Sequence, residues 1–206
     1  MQRRIGLTGG IASGKSSVGQ LLSSHGWPVL DADRFAREAL TRGSTATQAV
    51  LARFGRGVQA ENAAGCVDRA ALGRRIFADA RERLWLEQLI HPLVRERFDQ
   101  ELQRLDAAPV VVLMVPLLFE ANLTALCSEV WLVDCEQEQQ ILRLMQRNNL
   151  TQQEAKHRLA AQWPLADKRR LADQIIDNRG SKHQLFLQVA GLLNEKNQSG
   201  DLSTND

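Results

Sequence analysis

Short, continuous apolar runs alternate with segments of helical apolar spacing along most of this chain. The runs predict strands at 3–8, 29–30, 109–115, 130–133 and 174–177. Helical spacing marks 17–22, 34–40, 47–54, 136–147 and 181–194, and a capping box at 151–154 predicts the start of a further helix. Since the run 109–115 is apolar on both faces, it predicts a central, buried strand. This alternation predicts a parallel, three-layer α/β sheet.

A block from 67 to 105 interrupts the alternation, because its apolar residues keep helical spacing and no strand divides them. Leu72 and Ile76 mark one helix, and the apolar residues from 84 to 98 mark a longer one. Pro92 lies inside the second pattern, so we expect a kink or a new helix there. We predict that the block is an insertion on one side of the sheet.

The first predicted strand runs into a glycine-rich loop, Gly9-Gly10-Ile11-Ala12-Ser13-Gly14-Lys15-Ser16, which fits the phosphate-binding pattern G-x-x-x-x-G-K-[ST]. The strand before the loop and the helix after it are the context that this motif requires, since backbone N–H groups then wrap phosphates at a helix N-terminus. Lys15 would reach the β- and γ-phosphates, and the Ser16 hydroxyl would hold Mg²⁺. The alternative is a glycine-rich turn that binds nothing.

Bulk properties narrow the class of protein. The 206 residues are 44% hydrophobic and 24% charged, which is ordinary for a soluble globular domain. The net charge of +2 does not indicate a nucleic-acid partner.

Three separated cysteines, Cys66, Cys127 and Cys135, form no C-x-x-C pair, so we expect reduced, mostly buried thiols. The longest apolar run is too short to cross a bilayer, and the first strand leaves no room for a signal peptide. We therefore expect a cytoplasmic protein without a membrane partner.

Two carboxylates, Asp31 and Asp33, follow the second predicted strand. The carboxyl ends of parallel strands form the ligand-binding edge of an open sheet, so we expect both near the phosphate loop. A carboxylate there can accept the proton of an attacking hydroxyl, as phosphoryl transfer to an alcohol requires. Asp33 can also be the N-cap of a helix that begins at Arg34, and the two roles can coexist.

Basic residues follow the fourth predicted strand. Arg143 and Arg147 are four residues apart, so they share one face of a helix. Arginine suits the neutralisation of a transferring phosphoryl group, although a solvated basic face near a helix C-terminus is the alternative. Arg158 and Lys168-Arg169-Arg170 add charge, and the segment could close over a nucleotide as a lid.

A turn of sequence Asp177-Asn178-Arg179-Gly180 ends the last predicted strand. It has the form D-x-x-G but comes late in the chain, and no N-K-x-D guanine motif accompanies it. We expect the turn to pack against the nucleotide base, the alternative being a turn that uses Asn and Gly for its geometry. The four tryptophans, Trp27, Trp85, Trp131 and Trp163, are expected to pack in the core or the insertion.

Taken in order, these motifs resemble those of the dephospho-coenzyme A kinase family from Ile5 to about Gly180. The phosphate loop alone is shared by many functions, whereas the ordered set is specific. At Met114 the chain departs from the family, in which many members have an acidic residue before the Val-Pro-Leu-Leu run; this weakens a Mg²⁺ role for that strand end and leaves Ser16, Asp33 and water. The resemblance rests on Leu7-Thr8-Gly9-Gly10-Ile11, Ser13-Gly14-Lys15-Ser16, Asp31-Ala32-Asp33, Ala36-Arg37, Asp68-Arg69, Ile76-Phe77, Leu86-Glu87, Ile90-His91-Pro92, Val115-Pro116-Leu117-Leu118-Phe119-Glu120, Arg143, Arg147, Arg158, Gln162, Ala172-Asp173 and Ile176-Asp177-Asn178 with Gly180.

The resemblance implies an α/β, three-layer P-loop kinase fold with a five-stranded parallel sheet, a helical CoA-binding insertion and a helical lid. We expect a single domain over 1–206, in which 56–106 is the acceptor-binding insertion, 143–171 the lid and 195–206 a flexible tail. The implied activity is ATP-dependent phosphorylation of the ribose 3′-hydroxyl of dephospho-CoA, the last step of coenzyme A synthesis, by direct in-line transfer.

The resemblance also implies roles for individual residues. Asp33 would be the catalytic base, with Lys15 and Arg143 stabilising the transferring group and Ser16 holding the Mg²⁺ of ATP. The acceptor would contact Thr8, Asp33, Arg69 and His91. The implied ATP-binding residues are Gly10, Ile11, Ala12, Ser13, Gly14, Lys15, Ser16, Ser17, Arg147 and Asn178.

Two other functions stay open on the residues. A nucleoside monophosphate or other small-metabolite kinase would share the loop and lid but would need a smaller acceptor pocket than the helical block suggests. A non-enzymatic nucleotide-binding switch would not need the carboxylate pair at the acceptor edge. The partners we expect are ATP and dephospho-CoA, for a monomer or weak homo-oligomer that binds neither nucleic acid nor membrane.

Overall fold

The computed structural model describes residues 2–200, with the side chains of 2–194. Its strands are β1 (Arg3–Gly9), β2 (Val29–Asp31), β3 (Val110–Met114), β4 (Glu129–Asp134) and β5 (Gln174–Asp177). They form one sheet in the order β2-β3-β1-β4-β5, and the registers of β1 with β3 and β4, and of β4 with β5, are parallel. The predicted five-stranded parallel α/β sheet is therefore confirmed, and β1 is its central strand.

Helices occupy the predicted segments between the strands. Residues 181–194 were expected to form the last helix, and its backbone extends to Gly200, into the predicted tail. The rest of that tail, 201–206, lies outside the described residues. The helices are α1 (Lys15–Ser24), α2 (Ala32–Ala39), α3 (Thr45–Phe54), α4 (Arg69–Ala78), α5 (Ala80–Arg104), α6 (Gln137–Asn148), α7 (Gln152–Ala160), α8 (Leu165–Arg169) and α9 (Lys182–Gly200), with short 3₁₀ turns at Gly55–Val58 and Thr124–Leu126.

Pro92 does not begin a new helix, because α5 continues through it. Proline lacks the N–H that would donate to the carbonyl four residues earlier, so α5 loses one hydrogen bond there. Ile90, Val94 and Phe98 are buried on both sides of the proline. Burial of this continuous apolar stripe offsets the missing bond.

Side-chain caps fix where two functionally important segments become helical. The Asp31 carboxylate accepts a hydrogen bond from the Asp33 backbone N–H at 2.9 Å and is the N-cap of α2. The predicted cap at Asp33 was therefore wrong, since the helix starts two residues earlier and places Asp33 in its first turn. The capping box of Thr151 and Glu154 at the start of α7 is confirmed.

The chain divides into two compact units, one formed by the residues up to Leu30 and from Ala107 onward, the other by Asp31–Asp106. The second unit is built around Val50, Val58 and Leu72, with Phe35 and Phe98 in edge-to-face contact at 5.1 Å. Among the described residues, no helix is long and apolar enough to cross a membrane. The core of the first unit comprises Ile5, Leu7, Val18, Leu22, Val112, Trp131, Val133, Ile176, Leu185, Val189 and Leu193.

The tryptophans fit the packing prediction with one exception. Trp131 is fully buried, and Trp27 and Trp85 pack against the cores of their own units. Trp163 is 47% exposed and stacks on Phe119 with only 4° between the ring planes. For Trp163 the prediction was wrong, because a helical or strand period gives no signal for a residue in a turn.

Candidate active site

The phosphate loop connects central strand β1 to α1, and its glycines are required by close contacts. A Cβ at Gly9 would lie 2.6 Å from both Ser13 Oγ and the Val133 carbonyl oxygen, so only glycine fits against β4. Gly14 has φ 101° and is the N-cap of α1, without a side-chain cap. The first N–H groups of α1 therefore have no capping side chain, and the first turn of α1 has no acidic residue. This end of the helix suits an anion.

Lys15 lies against the loop that contains it. Its Nζ donates to the Gly9 and Gly10 carbonyl oxygens, both at 3.0 Å. Ser16 and Ser17, which follow it in the first turn of α1, are exposed. The loop therefore presents an ammonium group and two accessible hydroxyls close together in the chain.

Asn178 and Arg143 form a chain of hydrogen bonds that ends on the loop. The Asn178 side-chain amide donates to the Ser13 carbonyl oxygen at 2.7 Å, and the Asn178 carbonyl accepts from Arg143 Nη2 at 3.0 Å. Arg143 Nη1 is buried and has no hydrogen-bond partner among the described residues. This series of hydrogen bonds leaves one N–H donor group of the Arg143 guanidinium available for a ligand.

Two other residues assigned to the site are placed differently. Arg147 is exposed, and its Nε donates to the neighbouring Asn148 side chain at 3.0 Å. Thr8 is fully buried, and its hydroxyl lies 3.3 Å from the Pro116 carbonyl oxygen, to which it donates. The roles of Arg147 toward ATP and of Thr8 toward the acceptor stay predictions.

Two cations of the predicted lid are paired inside the first unit. Lys168 is fully buried, with its Nζ 2.7 Å from Glu120 Oε1, and Glu120 also accepts from the Trp163 backbone N–H. Arg169 donates to the buried Asp134 carboxylate at 2.8 and 2.9 Å. These pairs hold α8 to the segment after β3 and to the end of β4, so their charges are already compensated.

Gln140 and Gln162 hydrogen-bond to the phosphate loop, and sequence reasoning gave neither of them a role. Gln140 is buried on α6 beside Ile141, and its Nε2 donates to the Ile11 carbonyl oxygen at 2.6 Å. Gln162 Oε1 accepts from the Ile11 N–H at 2.8 Å. A polar residue among the apolar positions of α6 was the available signal for Gln140, whereas Gln162 entered only through the family resemblance.

A pocket of about 450 Å³ opens beside these groups. Gly10, Gln140, Lys156, Trp163 and Arg169 are among its lining residues. The pocket is lined by the phosphate loop, by α6 and by the predicted lid. The loop therefore borders an open space within the first unit.

The thiols of the first unit are poor nucleophiles. Burial raises the pKa of Cys135 to about 11, although the positive charges of Arg143 and Lys15 partly oppose the shift. Burial also raises the pKa of Cys127 to about 11. Both therefore stay protonated near neutral pH.

Apart from Thr8, the predicted acceptor residues lie in the second unit. Asp33 is exposed in the first turn of α2. Arg69 is the exposed first residue of α4, and it borders an open depression of about 530 Å³ formed by residues 60–63 and 67–70. His91 is half-buried in α5. Their roles stay predictions.

A parallel sheet of this strand order, with a phosphate loop between its central strand and α1, defines the P-loop kinase fold. The family model described as dephospho-CoA kinase matches residues 3–184, so the chain belongs to the dephospho-CoA kinase family. It is thus a phosphotransferase.

Individual relatives agree with this assignment. The chain is 60% identical over 190 residues to a dephospho-CoA kinase from Parasynechococcus marenigrum, which covers 92% of this chain and 94% of the relative. A Thermus thermophilus protein of known crystal structure is similar with a TM-score of 0.77 and 36% identity, over 94% of this chain and 97% of that one. A dephospho-CoA kinase from Campylobacter jejuni gives a TM-score of 0.71 at 26% identity, over 97% and 100%.

Proposed function

We propose that the protein transfers the γ-phosphoryl group of ATP to the ribose 3′-hydroxyl of dephospho-CoA, giving ADP and coenzyme A. The observation that carries this proposal is the family match over residues 3–184, which includes a phosphate loop of the required geometry. We also propose that the reaction takes place in the cytoplasm, and that 56–106 binds the acceptor while 143–171 acts as the lid.

The first unit would bind the donor. The loop amides and the uncapped N-terminus of α1 would surround the phosphates, and Lys15 would exchange its two loop carbonyls for the β- and γ-phosphate oxygens. Arg143 has a buried, unused Nη1 donor beside this loop, so it is the arginine best supported as a ligand of the transferring group. Arg147 would make an outer contact.

Magnesium would enter with ATP. The exposed Ser16 hydroxyl is a hard oxygen donor of the kind that Mg²⁺ takes, whereas Met114 at the end of β3 offers no oxygen. Ser16, with Asp33 and water, is therefore the proposed set of ligands. When bound, the ion would neutralise charge on the phosphates.

Asp33 would be the base. In the proposed in-line step the O3′–H proton moves to the Asp33 carboxylate as the O3′–Pγ bond forms, and the bond between Pγ and the β,γ-bridging oxygen breaks to release ADP. The assignment is supported by the place of Asp33 directly after β2, by its exposure and by the family resemblance. The Asp31 cap keeps Asp33 at a fixed position of α2.

The test is to incubate the protein with ATP, Mg²⁺ and a panel of hydroxyl acceptors, and to locate the new phosphate by mass spectrometry and ³¹P NMR. The panel contains dephospho-CoA, its 3′-deoxy analogue and several nucleoside monophosphates. We expect phosphate on dephospho-CoA alone, at the 3′ position, and none on the 3′-deoxy control. Transfer to a nucleoside monophosphate, or nucleotide binding without any transfer, would overturn the proposal.

A further inference from the structure

We propose that Gln140 and Gln162 are positioning residues that hold the Ile11 peptide groups and so set the phosphate loop in the shape that receives nucleotide phosphates. The inference rests on the proposed function only in that the loop binds a nucleoside polyphosphate. It gives these two side chains a role that neither the loop motif nor the acceptor assignment supplies.

The two glutamines hydrogen-bond to the two backbone polar groups of Ile11. Gln140 Nε2 donates to the Ile11 carbonyl oxygen at 2.6 Å, and the Ile11 N–H donates to Gln162 Oε1 at 2.8 Å. Gln140 projects from α6 and is 4% exposed, whereas Gln162 belongs to the turn after α7. Both groups of Ile11 are therefore satisfied by side chains from outside the loop, and a simple turn would not need them.

The backbone conformation of Ala12 explains why the Ile11 peptide groups need these hydrogen bonds. Ala12 has φ 57°, the left-handed region that a residue with a Cβ adopts only at a free-energy cost. The Ile11 carbonyl belongs to the peptide unit that joins Ile11 to Ala12. The hydrogen bond from Gln140 fixes the plane of that peptide unit. Since the φ angle of Ala12 is defined relative to this plane, the bond helps to hold Ala12 in its left-handed conformation.

Packing supports the same arrangement. The side chains of Ile11 and Ala12 pack against the small cluster of Ile141, Leu144 and Ala155 on α6 and α7. A Cβ at Gly10 would overlap the Gln140 amide, so glycine at this position is what lets the glutamine reach the loop. Loss of either glutamine would leave a polar group of Ile11 without its partner and release the strained backbone that precedes the phosphate-binding amides.

The experiment compares phosphate-dependent with phosphate-independent binding. The Gln140→Met and Gln162→Met variants keep side-chain length and lose the hydrogen bonds, and Gln146→Met at an exposed position of α6 is the matched control. ADP is titrated by calorimetry and adenosine by NMR. We expect each loop variant to raise the Kd for ADP by about tenfold while adenosine binding stays at the wild-type level. The control should match wild type for both ligands.

A second comparison isolates the strain. Because glycine adopts a left-handed φ without a Cβ penalty, adding Ala12→Gly to Gln140→Met should reduce the loss of ADP affinity below the tenfold seen with Ala12.

Wild-type ADP affinity in both loop variants, equal weakening of ADP and adenosine, or equal weakening by Gln146→Met would overturn the proposal. If the buried Gln140 variant fails to fold, the half-buried Gln162 position decides the matter alone. Failure of the wild-type protein to phosphorylate dephospho-CoA would count against the proposed function and leave these titrations interpretable.

Discussion

The two units hold their candidate functional residues in different ways. In the first unit Lys15, Arg143 and Asn178 are each tied by hydrogen bonds to the phosphate loop or to one another. In the second unit Asp33 and Arg69 are exposed in the first turns of helices, and the caps of those helices are the carboxylates that precede them. The candidate residues of the first unit are thus preorganised by hydrogen bonds, whereas Asp33 and Arg69 are positioned by where their helices begin.

Two particular sets of charged pairs show a similar difference in burial. Lys168 and Glu120 form a buried pair in the first unit, and removing one partner of such a pair leaves a costly uncompensated charge. In the second unit Arg97 pairs with Glu101 and with Glu38 on a half-exposed surface, where an ion pair contributes about 0–1 kcal/mol. Removing one partner of the Lys168–Glu120 pair should therefore destabilise the fold, whereas removing Glu38 or Glu101 should change the stability little.

The largest effect is expected at Asp33, in the second unit. Asp33→Asn keeps the shape of the side chain but removes the proton acceptor, so kcat should fall by about a thousandfold. ADP affinity measured without Mg²⁺, for which Asp33 is a proposed ligand, should stay close to wild type because the loop is untouched. Single-turnover kinetics and calorimetry measure the two quantities.

The control for Asp33 is Asp31→Asn. Asparagine is as good an N-cap as aspartate, so this variant should keep α2 in place and retain most of the activity. A wild-type kcat in Asp33→Asn, or an equal loss in both variants, would rule out Asp33 as the base.

The next effect is expected in the first unit, at Arg143. Arg143→Ala removes the donor that we propose contacts the transferring group, so kcat should fall by about a hundredfold while the KM for ATP changes less. Arg147→Ala, one turn further along α6 and exposed, should lower kcat by a smaller factor. If the two variants rank the other way, Arg147 and not Arg143 contacts the phosphoryl group.

A smaller effect is expected for Arg69. Arg69→Ala should raise the KM for dephospho-CoA by about tenfold through loss of a charged hydrogen bond, and the KM for ATP should not change. Arg74→Ala, which removes an exposed arginine from the same helix, is the matched control and should leave both constants unchanged. An effect of Arg69→Ala on the KM for ATP would break the division between donor and acceptor units.

The comparison also explains what the sequence could predict. Apolar periodicity located all five strands, and the spacing of Gly9, Gly14 and Lys15 identified the loop, because these signals are local in the chain. Gln140 contacts Ile11, which lies 129 positions away in the chain, and Asn178 contacts Ser13, which lies 165 positions away. No local sequence pattern could therefore predict these contacts. Lys168 looked like a free lid cation because its partner Glu120 lies 48 residues away on another segment.

Asp33 shows where a local rule leaves two choices. Both Asp31 and Asp33 are good N-cap residues, and the choice between them depends on how far β2 continues before the chain turns. Sequence spacing cannot fix that point to within two residues. The same uncertainty did not affect the carboxylate's candidacy as base, since either cap leaves Asp33 just after the strand.

The smallest expected effect concerns Cys135, directly after β4 in the first unit. Its pKa is raised by burial from about 9 to about 11, so the folded protein keeps this thiol protonated at pH values where the unfolded chain ionises it. Stability should therefore be unaffected by this group below about pH 9 and should fall as the pH rises from about 9 toward 11. The chain has no tyrosine, so thiols and lysines are the side chains that titrate in this range.

Urea unfolding of wild type and Cys135→Ala at intervals from pH 8 to 11 measures the effect. At pH 8 the alanine variant should be less stable because of the small cavity that it leaves. The difference should shrink as the pH rises, since the variant has no thiol to keep protonated. Cys66→Ala, in the second unit, serves for comparison. Parallel stability curves for wild type and Cys135→Ala would show that the unfolded chain gains nothing from ionising this thiol, and the packing around the end of β4 would then be looser than its burial indicates.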